Sequence, residues 1–246
     1  FINLWLGLAI ISGPLFFYYS IIRPFLNLKE WRKTSEPIQY FTVVTIVPLG
    51  YFLAHSLFSK FELNWPAPVF LSGVFLLSLQ LNRNNMKTYY AQIIYSLILI
   101  MIITTQTFWP VLPLKGNADI TNRYYMYEGL TDTLGTYLEN NPELQNTRIA
   151  ANNFQIPSMI NFYLDPALEA TCLSIGYQET LYSFLYPNRG QKNNDFIFIK
   201  HGMGQPEFLI NYFEKISPLK KFKIKRDDQT LSNFSLWYVK NYSGEK

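Results

Sequence analysis

The sequence predicts an α-helical membrane bundle of about four transmembrane helices followed by a small soluble α/β domain. Three observations carry that reading. From Phe1 to about Leu114 the chain is mostly Leu, Ile, Phe, Tyr and Val, and after Lys115 it turns to polar loops and mixed charge. The apolar half breaks into separate runs whose connecting loops differ in Lys and Arg content. The second half holds short apolar or alternating segments bounded by turn residues. A mean hydropathy of +0.02 and a net charge of +4 describe neither half, because the average merges two environments. The expected division is 1–114 for the transmembrane region and 115–246 for an extracytoplasmic α/β domain.

A membrane-spanning helix needs roughly 20 mostly apolar residues. Candidate spans run from Ile2 to Ile22, Ile38 to Phe58, Pro66 to Leu81 and Tyr89 to Trp109, the third being the shortest. Gly13-Pro14 in the first and Pro48 in the second are kink sites, tolerated where neighbouring helices satisfy the freed backbone groups. The loop "RPFLNLKEWRK" carries Arg23, Lys29, Arg32 and Lys33, and "NRNNMK" carries Arg83 and Lys87. Both are expected inside, which places the Lys60 loop and everything after Trp109 outside. The apolar run is already under way at Phe1 with no basic segment before it. The expectation is therefore a piece of a longer membrane protein rather than a signal peptide.

In the second half, "RIAANNF" (Arg148 to Phe154) and "DFIFIKHG" (Asp195 to Gly202) read as buried strands. "FKIKRD" (Phe222 to Asp227) and "FSLWYVKNY" (Phe234 to Tyr242) alternate as half-buried strands do. "TLGTYLENN" and "PEFLINYFEKI" carry helical spacing, and "PSMINFYL" reads as a short helix on the sheet.

The single cysteine, Cys172, excludes an intramolecular disulfide and a Cys-rich metal site. No Gly-rich phosphate loop occurs, and neither a metal nor a cofactor is expected. Lys60 at a helix end reads either as a snorkelling lysine or as a point charge for a lipid-linked phosphate. Glu62 reads as a solvated loop acid or as a group that orients a substrate hydroxyl. Trp65 reads as a membrane-belt anchor or a platform for a sugar face. His55, one turn from a span's end, is a polar residue at membrane depth and so a functional candidate. His201 and Cys172 read as turn and core residues. Asp132, Glu139, Asp165, Glu169 and Glu179 are scattered, and the basic run "LKKFKIKRDD" reads as a solvated strand face, with anionic lipid heads or glycan phosphates as its lesser use.

The stretch "HSLFSKFELNWPAP" followed by another apolar helix resembles the bacterial branch of the dolichyl-phosphate-mannose–protein mannosyltransferase family, to which the aminoarabinose transferases of lipid A are related. "MYEGLTDTLGTYL" and "RIAANNFQIPSMINFYLD" are more loosely similar to the tails of that family. The resemblance implies a C-type glycosyltransferase fold in a bacterial inner membrane, with an outward-facing site. It implies transfer of a sugar from a polyprenyl-phosphate donor to a lipid, glycan or protein acceptor, by inversion. The acidic general base of such enzymes lies in an early outward loop, expected upstream of Phe1. Only Lys60 matches a motif position, as a donor-phosphate ligand, with Glu62, Asn64 and Trp65 as supporting loop residues. The implied partners are the donor lipid, the bilayer and the acceptor, and no nucleic acid. Two other readings stay open: a membrane-anchored module that binds glycan or a partner protein, and a lipid-linked glycan polymerase or ligase.

Overall fold

The computed structural model describes residues 2–26, 28–58, 65–81, 86–114, 116–164, 169–176, 179–187 and 191–244. The chain divides into two compact units, Phe1–Thr105 and Gln106–Lys246.

The first unit is helical. Helix α1 (Ile2–Ser12) stops at Gly13, whose φ of +88° ends the helical path, and α2 (Pro14–Phe17) starts on a proline that has no N–H to donate. A π-helical turn over Tyr18–Ile22 leads into α3 (Arg23–Leu26). The first expected span is therefore broken: Leu6–Ser12 and Pro14–Leu26 meet at 114°. The Gln92 amide serves both sides of the break, donating to the Ser12 carbonyl at 2.9 Å and accepting from the Phe16 N–H at 3.1 Å.

A short 3-10 stretch (Leu28–Lys33) precedes α4 (Glu36–His55), followed by α5 (Ala67–Gln80) and α6 (Met86–Phe108). By length and composition α4 and α6 can cross a membrane, and the bent pair makes a third crossing if it counts as one. With 14 residues, α5 is about 21 Å long at 1.5 Å per residue, short of a hydrocarbon core of roughly 30 Å. The described residues thus support two or three spans, where the sequence suggested four.

Small and hydroxylic residues let the helices of this unit approach closely. Ser20 Oγ donates to the Gly73 carbonyl at 2.8 Å, and the Thr45 and Ser72 hydroxyls share a hydrogen bond of 2.9 Å between α4 and α5. Phe41 stacks on Phe75 with centroids 5.1 Å apart. Along α6 the apolar side chains point outward: Leu97 is 58% exposed and Met101 65%, while Gln106 is buried.

The second unit is a sheet of order β2-β1-β3-β5-β4 with helices over one face. The strands are β1 (Arg148–Ala151), β2 (Ala170–Cys172), β3 (Phe196–His201), β4 (Phe213–Arg226) and β5 (Gln229–Tyr242). β1 runs parallel to β2 and β3, and β3, β5 and β4 pair antiparallel. Alternation along the strands splits the core in two. Ile149, Ile197, Ile199, Phe234 and Leu236 face Leu130 and Leu134 of α7 (Asn122–Glu139) and Ile156 and Ile160 of α8 (Gln155–Tyr163). Phe196, Phe198, Trp237 and Val239 face the other way, onto Leu173, Leu209 and Phe213. A short α9 (Leu181–Leu185) follows β2.

One expectation is corrected. "PEFLINYFEKI" forms only a 3-10 turn at Glu207–Leu209 and then enters β4. Pairing of Phe213 with Tyr242 and of Ile216 with Val239 along β5 outweighs the local helical spacing. β4 is an edge strand, which is where Pro218 and a run of lysines belong.

Candidate functional site

The residues singled out around the α4–α5 connection fall into two groups. Lys60, Glu62 and Asn64 lie outside the described residues. His55 and Trp65 are described, and the fold brings them together. Tyr51 and His55 are four apart on α4 and share a face, with ring centroids 6.1 Å apart. Trp65 sits just before Pro66, whose carbonyl accepts the Val69 N–H at 2.9 Å and so opens α5. Its indole centroid lies 6.0 Å from the His55 ring at a 56° tilt. The result is a row, Tyr51–His55–Trp65, joining the last turn of one helix to the start of the next. His55 is half-buried in it and Trp65 is 42% exposed. Such a row offers aromatic faces and an imidazole, a combination suited to an apolar sugar face beside an anionic group.

The second unit holds a polar cluster that sequence reasoning did not find. The side chains of Asp119 and Arg226 are 3% and 8% exposed, with Nη1 3.7 Å from Oδ2. Arg226 also donates to Thr121 Oγ1 at 3.1 Å and Asn122 Oδ1 at 3.0 Å. Its other Nη donates to the carbonyls of Gln106 (3.2 Å) and Thr107 (3.1 Å), which belong to the last turn of α6 and to this unit. The guanidinium lies 3.9 Å from the Tyr125 ring centroid. Asp119 accepts from Thr121 N (2.9 Å), Thr121 Oγ1 (2.7 Å) and Gln106 Nε2 (2.7 Å). Burial pushes the Asp119 carboxyl up, but the hydrogen bonds from Thr121 and Gln106, with the charge of Arg226, outweigh it and hold its pKa below the usual aspartate value. Every partner is internal, so the cluster is a structural clamp. The Asp119-x-Thr121 spacing is a local turn signal in the sequence, whereas nothing in it joins Asp119 to a strand end more than a hundred residues away.

At the carboxyl ends of the parallel strands the polar groups serve the domain itself. The Asn152 amide bridges Ile175 N (2.6 Å) and O (2.8 Å). His201 ends β3 with Nε2 2.7 Å from Ser232 Oγ and its ring edge-on to Phe234. Cys172 is buried on β2 beside Ser174. Glu169 accepts the Tyr186 hydroxyl at 2.7 Å, a bond that raises the Tyr186 pKa. Among the described residues no group of three His, Cys, Asp or Glu side chains is arranged to hold a metal ion.

No protein-family model, curated protein or solved structure matches the chain.

Proposed function

We propose that this chain is part of an integral-membrane glycosyltransferase. It moves a sugar from a polyprenyl-phosphate donor to a lipid, glycan or protein acceptor on the outer face of a bacterial inner membrane. Four membrane segments carry it, the first broken and the third short, and the α/β unit is extracytoplasmic. The reading starts from the resemblance of "SKFELNWPAP" to the mannosyltransferase family. The observation that supports it most is the Tyr51–His55–Trp65 row at the two ends of the 59–64 connection. A glycosyl phosphate leaves as an anion, so the ammonium charge of Lys60 stabilises developing charge, while the row holds the sugar at the boundary of lipid and water.

The test is steady-state transfer by the full-length protein with a polyprenyl-phosphate sugar. Removing a charged partner from a partly desolvated phosphate costs about 2–5 kcal/mol, so Lys60→Ala is expected to lower kcat/KM by roughly 30-fold or more. Lys60→Arg recovers part of it, because a planar fork fits a point-charge site poorly. Near-normal kcat/KM in Lys60→Ala sinks the phosphate role.

A second reading, a membrane-anchored binding module, has one observation in its favour. Phe162 of α8 and Leu181 and Phe184 of α9 are 77%, 70% and 82% exposed, and Ser158 and Tyr182 join the two helices by a 3.1 Å hydrogen bond. Loss of transfer on Lys60→Ala with no change on Phe184→Ser favours the enzyme over the module.

A further inference from the structure

The α4–α5 hairpin has a second end, where Gln80 closes α5 near the start of α4. There the first unit forms a half-open pocket of about 150 Å3, the volume of several waters at about 30 Å3 each. Arg23, Trp31, Thr34, Ile38, Thr42 and Gln80 line it. Its walls are mainly apolar, with polar groups at a few points. The Thr34 hydroxyl is engaged by the Trp31 carbonyl at 2.6 Å, and Gln80 Nε2 by the Tyr19 carbonyl at 2.9 Å.

Two groups remain without a polar partner among the described residues. The Arg23 guanidinium lies over the Tyr19 ring at 5.3 Å and meets no carboxylate. Thr42 is 3% exposed, on the wall of the cavity, with no hydrogen bond to its hydroxyl. A half-buried guanidinium and a hydroxyl on one pocket give a ligand two donors at the same place. The π turn over Tyr18–Ile22 stands directly before Arg23, whose N–H bonds to the Tyr18 carbonyl. The extra residue in that turn rotates the next helical residues by about 100°, and such turns recur at functional sites. The surrounding segment is basic: Lys29, Arg32 and Lys33 stand against Glu30, with only the exposed Lys33–Glu30 pair at 3.9 Å.

We infer that this cavity binds the phosphate head group of an anionic membrane lipid. Arg23 forms a two-pronged contact to the phosphate, Thr42 donates to an ester oxygen, and the Gln80 carbonyl oxygen accepts from a head-group hydroxyl. Trp31 and Ile38 cover the apolar part next to it. A lipid fits better than a free phosphate ester because the lining is chiefly apolar and the Lys/Arg-rich side of a bundle is where anionic lipids gather. The site depends on the membrane placement of the first unit and is independent of any transferase activity.

The test is a native mass-spectrometric titration of the full chain in neutral detergent. Its arms are short-chain phosphatidylglycerol, a diacylglycerol glucoside without phosphate, and glycerol 3-phosphate. Saturable binding of the phosphatidylglycerol alone is expected. Arg23→Gln weakens it about tenfold or more and Thr42→Val several-fold. Arg32→Gln, an exposed charge in the same segment, changes it less than about twofold. Arg23→Lys keeps the charge and retains intermediate affinity, which covers the case that Arg23→Gln does not fold. Equal loss in Arg32→Gln and the Arg23 variants, or equal binding of the glucoside, overturns the site. Equal binding of glycerol 3-phosphate overturns the lipid as its source.

Discussion

Among the described residues of the first unit, the hydroxyls of Ser20, Thr42, Thr45 and Ser72 are buried beside Leu8, Leu49 and Leu76, while the apolar Ile94, Leu97, Ile98, Ile100 and Met101 are exposed. In the second unit Leu130, Leu134, Ile149, Ile197 and Leu236 are almost fully buried, and lysines 221, 223 and 225 stand outside. Both units have an apolar core, but the first leaves far more of its Leu and Ile exposed than the second. In water, burying apolar area stabilises by about 25 cal/mol per Å2, so Leu and Ile go inside. In lipid that driving force between helices is absent, and hydrogen bonds and close packing of small residues hold the helices instead. Each unit also uses long polar side chains where regular backbone fails. Gln92 serves the break at Gly13, and Arg226 serves the last turn of α6.

The contrast between the units is sharpest at the clamp. Arg226→Ala leaves Asp119 buried without its cation and is expected to destabilise the second unit by about 3–5 kcal/mol, read as denaturant unfolding of the full chain in detergent. Arg226→Lys recovers little, because one ammonium cannot reach four acceptors on two sides. The clamp is also acid-sensitive. The folded Asp119 pKa lies below its unfolded value, so its contribution is fully present above the usual aspartate range, near about pH 4, and is lost as pH falls through the lower folded value. Asp119→Asn removes that part of the acid limb; an unchanged stability profile below pH 4 would show that Asp119 is not held ionised.

The next effect sets one unit against the other. Leu134→Ala in the aqueous core costs about 2–5 kcal/mol. Leu97→Ala on the outer face of α6 leaves stability nearly unchanged, whereas Leu97→Arg raises the cost of membrane insertion by about 2.5–3.5 kcal/mol. An insertion assay that accepts Leu97→Arg without penalty would mean that this face meets water.

Gln92→Leu leaves the Ser12 carbonyl and Phe16 N–H without their partner and is expected to cost about 1–3 kcal/mol. Gly13→Ala acts on the same break from the other side, since a Cβ there collides with the Gln92 amide and the φ of +88° disfavours any side chain. Thermal unfolding in detergent should lower the midpoint in both, and a wild-type midpoint for Gln92→Leu would show the break is held by something else. The smallest effect is Ser72→Ala, which removes the bond to Thr45 at a cost near about 0.6 kcal/mol, as for typical bonds between membrane helices.

Much of this was legible in the residues. The strands at Arg148–Ala151 and Phe196–His201 announce themselves as short apolar runs, and α4 and α6 by length and composition. β2 was not legible, because three residues, Ala170–Cys172, carry no period. Nor was the start of β4, where helical spacing and strand pairing disagree and the partner strand decides. At the candidate site the sequence supplied His55 and Trp65 separately, while their 6.0 Å approach depends on how α4 and α5 turn back on each other. The Arg23 cavity left only a basic loop as its trace, since a cavity is made by α3, α4 and α5 jointly.

What the sequence alone determined is where the chain passes from apolar runs to mixed polar segments, at about Leu114. Apolar runs and Lys/Arg loops act through local transfer free energies, which each residue carries wherever it folds. What only the tertiary structure decided is which polar groups meet. Gln92 with the Gly13 break, Arg226 with Asp119 and the end of α6, and Gln80 with the Tyr19 carbonyl are joined across long sequence separations. A hydrogen bond or an ion pair acts only at a few ångströms and in a narrow direction, so its energy belongs to the assembled geometry and not to either residue.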